Sequence, residues 1–324
     1  MKMRYKLFTD NAINILAAKI YKGIGTAWIV QNIHSNMTIE EIVKKLNIKL
    51  KDSPTSVVEF QRYKNTIIER IKNIEPFVDG ITAMGDIDFP HIRGSVKDSE
   101  KPVILYYKGD LSLLSKHNRN IAVIGLLTPD DYTIKEESDI VRKLVAKQYN
   151  IVSGLALGCD SVAHKETLLQ KGKTIAILPS PIQNILPKQN QQLAEQIIQA
   201  GGLLISEYGK DAVSNIELRS RYQERDRLQA LFSDGIILSA SYSKKDVGCD
   251  SGSRLAMNYA KEYRLPRFVM YNATRDKDNP KYNLTRELLN ETGVHIVTPS
   301  NVEQQIACHL STSINPIQLN MFDW

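Results

Sequence analysis

Cysteine is scarce in this 324-residue chain: Cys159, Cys249 and Cys308 lie far apart, with no CxxC and no neighbouring histidine pair. That spacing writes neither a disulfide framework nor a zinc site, and the thiols read as reduced and structural. Long hydrophobic runs are missing too. Charged or polar residues break every apolar stretch of the opening MKMRYKLFTDNAINILAAKI, and nothing later approaches the roughly 18 apolar residues that a bilayer span requires. The expected location is the cytoplasm. There is also no HExxH, no lysine after a GxxxxG loop, no nucleophile beside a base and no paired carboxylates at active-site spacing. The chain therefore reads as a binding protein rather than an enzyme, with no cofactor and no metal. Internal repeats and low-complexity tracts are absent as well.

What is present is 42% hydrophobic residues, enough for one large core and a smaller companion. Lys and Arg total 42 against 36 Asp and Glu, a net +6 that permits a polyanionic partner without requiring one. From Thr9 to about Ile74 apolar residues recur at helical spacing, first Ile13, Leu16, Ala17 and Ile20, then Ile39, Ile42, Val43 and Leu46 behind Thr38 as N-cap. Between the first two helices, Lys22-Gly23-Ile24-Gly25-Thr26 has the form of a helix-hairpin-helix (SAM-like) turn. Its amides suit a DNA phosphate, although a GxG between helices is more often only a turn. Residues 1–75 are thus expected to form a small all-helical domain. Residues 76–119, with turn formers and the run Val103-Ile104-Leu105-Tyr106-Tyr107, read as linker plus an entry strand.

From Asn120 the texture changes. Short apolar runs at Ile121–Ile124, Ile151-Val152, Thr174–Leu178, Leu203–Ile205, Gly235–Leu238, Phe268–Met270 and Val294–Val297 alternate with helical stretches. That pattern predicts an α/β domain over 120–300: a Rossmann-like, mostly parallel sheet with helices on both faces. Residues 301–324 remain as a tail. Ligands of such sheets bind where strand C-termini meet helix N-termini. Those positions hold Gly125, then Ser153-Gly154 through Gly158-Cys159-Asp160, then Ser251-Gly252-Ser253 ahead of a later helix. Glycine and serine there let amides and hydroxyls approach an anion, so a phosphate-bearing ligand is expected.

The stretch SGLALGCDSVAHKETLLQKGKTIAILPS, from Ser153 to Ser180, resembles the DNA-processing protein A (Smf) family of bacterial recombination mediators. The similarity continues in order through Asn190, Gly201-Gly202-Leu203-Leu204-Ile205-Ser206-Glu207-Tyr208, the cluster Arg219, Arg221, Arg225 and Arg227, Ser251-Gly252-Ser253, and Tyr282-Asn283-Leu284 to Gly293. It spans about residues 120–298. The resemblance implies a Rossmann-like domain that binds single-stranded DNA, forms a homodimer and helps load a RecA-type recombinase, as in natural transformation. Matching positions imply that Gly125, Ser153, Gly154, Gly158, Lys173, Arg225, Ser251 and Gly252 line the DNA-binding pocket, with the Lys173 ammonium reaching a backbone phosphate.

The chain departs from the family at Leu126-Leu127, where a Ser-Arg pair is usual, at Leu157, often arginine, and at Asp226, usually asparagine. Each change weakens phosphate binding, a lost charge-assisted bond being worth about 1.5 to 3 kcal/mol. Either DNA is held differently here or the pocket has moved toward another ligand. Arg219, Arg221, Arg225 and Arg227 form either a phosphate-contacting stripe or, with Glu224 and Asp226 among them, a self-paired helix surface. His164, four residues after Asp160, invites an acid–base story; the family reading makes the pair structural, an N-cap and a packing histidine. Near the end, Gln318-Leu319-Asn320-Met321-Phe322 resembles the peptide that docks on the replication sliding clamp, Met321 and Phe322 filling the groove and Gln318 setting the register. Two rival functions stand beside DNA binding: a sensor or hydrolase of a small nucleotide, and a clamp-riding adaptor.

Overall fold

The computed structural model describes residues 7–246 and 252–311. Four helices come first: α1 (Asp10–Ala18), α2 (Thr26–Asn32), α3 (Ile39–Leu50) and α4 (Val57–Lys72). Thr9 caps α1, its hydroxyl accepting from Ala12 N at 2.9 Å, and Thr38 with Glu41 closes a full capping box on α3. The apolar stripe of α1 ends earlier than its spacing implies. Ile20 falls beyond the helix and is 44% exposed, because the chain has turned toward Gly23, at φ +88°, and Gly25, the N-cap of α2. Ile24 is buried inside that turn.

The helical region shares its core with the sheet. Ile13, Ile15, Ile42, Leu46 and Phe60 belong to one apolar cluster with Ile81, Ala83, Ile104 and Tyr106 of β1 (Gly80–Ala83) and β2 (Ile104–Gly109). Polar ties reinforce the join: Thr9 Oγ1 and Asn11 Nδ2 donate to the Asp86 carboxylate at 2.8 and 2.9 Å. The segment after residue 75 therefore contributes two strands. Beyond the expected entry strand, β1 is a second one, too short at Gly80-Ile81-Thr82-Ala83 to announce itself by alternation.

The remaining elements alternate as expected: β3 (Asn120–Ile124), α5 (Asp131–Ala146), β4 (Asn150–Ser153), α6 (Cys159–Leu169), β5 (Thr174–Leu178), α7 (Gln191–Gln199), β6 (Leu203–Ser206), α8 (Asn215–Leu231), β7 (Gly235–Leu238), α9 (Ser253–Glu262), β8 (Arg267–Met270), α10 (Ala273–Asp276), α11 (Asn283–Leu288), β9 (Val294–Val297) and α12 (Val302–Ser311). They build one nine-stranded sheet in the order β1-β2-β6-β5-β4-β3-β7-β8-β9. The seven strands β3 to β9 run parallel; β2 pairs antiparallel with β6, and β1 with β2. Alternation along β5 divides the faces. Ile175 and Ile177 pack with α8 and α9, whereas Ala176 and Leu178 pack with α7 and the N-terminal helices. Helices α5 and α12 cover the same second face over Ile121, Val123 and Ile237. Among the described residues no helix is long and apolar enough to cross a membrane.

At the N-terminal end of the parallel strands, buried Arg93 pairs with Asp234 at 2.7 Å and donates to the carbonyls of Phe232, Ser115 and Asn118. Asp234 also accepts from Asn120 N at 2.7 Å. This network holds the starts of β3 and β7 together, so their C-terminal ends emerge side by side at the opposite edge.

Candidate functional site

Strands β3 and β7 are neighbours, but the chain runs outward from β3 through β4, β5 and β6 on one side and from β7 through β8 and β9 on the other. Where the direction of winding reverses, the helices following the two strands diverge and leave a crevice. The crevice is a cavity of about 330 Å³ above the end of β3, lined by Ile124, Gly125, Leu127, Ala156, Leu157, Asp160 and Pro187 on one side. The other side is supplied by Tyr222, Arg225, Asp226 and Gln229 of α8 and by Gly252, Ser253 and Ala256 at the start of α9. The α8 residues stand at i, i+3, i+4 and i+7, a single helical face.

Arg225 is the centre of the site. It is buried, with Nη1 3.6 Å from Asp160 Oδ2 and Nε 3.5 Å from Asp226 Oδ1. The two carboxylates balance its charge without hydrogen-bonding those nitrogens, so Nε and Nη1 have no hydrogen-bond partner. Its guanidinium lies where a side chain on residue 154 would project: a Cβ built on Gly154 overlaps it. Gly158 has φ +74° and lies against the Leu126 carbonyl, which accepts from Cys159 N at 2.9 Å. Both glycines are required by close approach, one of a cation and one of a backbone.

Electrostatics follow from this burial. Desolvation pushes the Asp226 carboxyl up to about 7, against Arg225 and with the help of Asp160; the Gln229 amide, donating to Oδ1 at 3.1 Å, pulls it back. Burial also raises Asp160 against the pull of Arg225 and of the Ala156 and Gly154 amides. Below the floor, Glu137 of α5 is fully buried near Cys159 and Ser239, and desolvation lifts it to about 8.

The backbone cradle expected for a phosphate is filled from within. Asp160 Oδ2 accepts from Gly154 N at 3.0 Å and from Ala156 N at 3.3 Å. Ser153 Oγ donates to Val123 O at 2.7 Å and Ser253 Oγ to Gly125 O at 3.3 Å. Asn190 Nδ2 holds the loop from below through the carbonyls of Leu155 and Ala156 and through Ser161 Oγ, fixing Leu155 at φ +58°. Asp160 is thus no N-cap: Gly158 holds that position, and the carboxylate caps the preceding loop instead. His164 is a packing residue. Thr174 Oγ1 donates to Ile151 O at 2.8 Å and takes the His164 Nδ1 hydrogen at 2.7 Å, and burial drives the ring down to about 3.

The fold brings Gly125, Gly154, Gly158, Arg225, Gly252 and Ser253 together, with Ser153 immediately beneath them. Lys173 is not among them. It precedes β5, at the opposite end of the parallel sheet, and its ammonium caps α7 by donating to Ala200 O at 2.7 Å. The arginine cluster divides as well. Buried Arg221 donates to Lys210 O and Glu217 Oε1 at 2.7 and 2.6 Å and lies over the Tyr208 ring. Arg227 grips Glu207 bidentately at 2.7 and 2.8 Å. Both tie α8 to the loop after β6, and Arg219 is exposed. The cluster is therefore neither one phosphate stripe nor a solvated surface: Arg225 alone of the four lines the cavity, because Arg221 sits one turn earlier against Lys210 O and Glu217, and Arg227 lies on another face against Glu207. Ser251 and the tail residues Gln318, Leu319, Met321 and Phe322 lie outside the described residues. Tyr222, Gln229, Pro187 and Ala256 were not anticipated; the Tyr222-Arg225-Asp226-Gln229 spacing carries the signal for two of them.

Comparison with known proteins adds the family context. The family model for DNA recombination-mediator protein A matches residues 80–305. Protein Smf of Synechocystis is 29% identical over 238 residues, covering 69% of this chain and 57% of that protein. The DNA processing protein DprA of Bacillus subtilis is 31% identical over 139 residues, 43% of this chain and 45% of that one. The chain thus spans about half the length of these curated relatives. Among solved structures, DNA processing protein A (DprA) from Streptococcus pneumoniae aligns over 91% of this chain and 92% of its own with a TM-score of 0.64 at 23% identity. DNA processing protein A from Helicobacter pylori, described for its single-stranded DNA binding mode, aligns over 71% of this chain and 96% of its own, TM-score 0.57, identity 28%.

Proposed function

This chain belongs to the DNA recombination-mediator protein A family, and from that premise we propose that it binds single-stranded DNA at the cavity between β3 and β7 and acts as a recombination mediator. The observation that carries the reading is Arg225: a buried guanidinium at the topological switch point that lines the cavity, its Nε and Nη1 hydrogen-bonded to no acceptor. Around it, Gly125, Gly252 and Ser253 line the cavity, and exposed Leu127 and Leu157 form an apolar rim against which bases pack. The same reading makes the chain a cytoplasmic binding protein rather than an enzyme, which hands its strand to a RecA-type recombinase. Homodimerisation is part of it, supported by the open edge strand β9 with Ile296 at 39% exposure. Sliding-clamp docking rests on the 318–322 peptide alone, and loss of clamp capture on deleting residues 318–324 is its test.

Fluorescence anisotropy of a labelled single-stranded oligonucleotide at about 50 and 200 mM salt tests the central point. Salt-sensitive binding is expected, and Leu157→Glu, which puts a carboxylate at the exposed rim without touching the core, should weaken it. Absence of binding at low salt would leave a shared fold without the function.

A further inference from the structure

The polar groups in the cavity are badly arranged for a phosphate and well arranged for a base. A phosphate against Arg225 meets Asp160 and Asp226 on either side of the guanidinium, and the amides that would share its charge are already bonded to Asp160. The residues lining the space include one cation, Arg225, and two side chains with acceptor oxygens, Asp226 and Gln229. Arg225 offers Nε and Nη1. Gln229, buried and 2% exposed, gives its amide hydrogen to Asp226 Oδ1, which leaves its own Oε1 without a partner. Asp226 Oδ2 lies under the start of α9, where a Cβ on Gly252 would overlap it. The walls are apolar or aromatic: Leu127, Leu157, Tyr222 and Ala256.

Among DNA bases, only guanine carries two adjacent donors, N1–H and N2–H, beside an acceptor, O6. Adenine and cytosine each present a single exocyclic donor, and thymine one N–H between two carbonyls. Resting on the single-stranded DNA reading above, we infer that the cavity reads an unpaired guanine, with Asp226 and Gln229 accepting from N1–H and N2–H and Arg225 donating to O6. The lining fits this assignment: Leu127 and Leu157 supply apolar wall and rim, and Asp226, when ionised, supplies an acceptor with no competing donor. An amide recognises a base by donating as well as accepting, so the carboxylate is the more selective group here.

The first arm of the test varies the DNA alone. A labelled thymidine oligonucleotide with thymine, adenine, hypoxanthine or guanine at its centre is titrated by anisotropy. Guanine should bind about tenfold more tightly than adenine or thymine, as one good bidentate contact provides. Hypoxanthine, which lacks the N2 amino group, should fall between. Asp226→Asn, checked for folding by its melting temperature, should erase the guanine preference. Equal affinity for all four oligonucleotides overturns the guanine assignment and leaves single-stranded DNA binding standing. Calorimetry with dGMP and dAMP separates the remaining cases. Binding of dGMP without oligonucleotide binding would keep the pocket and sink the DNA reading, while binding of neither, with no oligonucleotide bound, would sink both.

Discussion

Replacing Glu137 with glutamine should stabilise the protein, and by an amount that grows with pH. Glu137 is fully buried on α5 beneath the site, and desolvation raises its carboxyl from 4.5 to about 8, with Cys159 and Ser239 favouring the ionised form and Asp160 opposing it. Between those two values the folded protein holds a proton that the unfolded chain has lost, so stability falls as pH rises through the window. The slope approaches about 1.4 kcal/mol per pH unit and flattens near pH 8. His164, lowered to about 3, works with the opposite sign and only below 6.5, where the unfolded ring takes a proton that the folded ring refuses. His164 is the same in both proteins, so its contribution cancels in the difference. Asp226 titrates near 7 in both proteins and cancels in the difference. Glutamine matches the shape of the protonated acid and does not titrate. Urea unfolding followed by circular dichroism at pH 6.5, 7 and 8 should show the Glu137→Gln advantage widening by roughly 1.5 to 2 kcal/mol. A difference constant with pH would refute the buried, proton-holding carboxyl.

Other consequences bear on the site. Gly154→Ala should expel the Arg225 guanidinium and strand Asp160 without its counter-charge, costing about 3 kcal/mol or more in urea unfolding and abolishing oligonucleotide binding. Lys173→Ala, at the far end of the sheet, should leave DNA affinity unchanged and cost less than about 1 kcal/mol through the lost cap on α7. Leu127→Arg adds a cation to the exposed rim; it should raise affinity and steepen the dependence of log K on log salt by about 0.7, read by anisotropy across a salt series.

Much of this architecture was legible because it rests on local chemistry. The seven parallel strands were visible as apolar runs, since all but the edge strand β9 are buried on both faces and have no polar side to alternate with. Thr38 caps α3 as expected where a hydroxyl precedes an apolar stripe. The glycines near the site could be placed after their strands, but not explained: that Gly154 makes room for Arg225, seventy-one residues later in the chain, is a fact of packing. Lys173 was misplaced because adjacency to a strand does not reveal which end of it the residue occupies. Arg221 and Arg227 looked equivalent to Arg225 because composition counts charges, while the helix aims them at different partners. The internal use of Asp160 was hidden for the same reason: a carboxylate six residues after Gly154 looks like a cap until the loop is folded back onto it.

The most direct measurement is photo-crosslinking of a single-stranded oligonucleotide carrying 5-bromouracil, followed by mapping of the crosslinked peptides. The account predicts crosslinks within the loop after β3, the Gly154–Gly158 loop and the Tyr222 region of α8, competed away by unlabelled single-stranded DNA. Crosslinks confined to the basic groove around Lys97, Lys116 and His117, which lies away from the switch point, would contradict it.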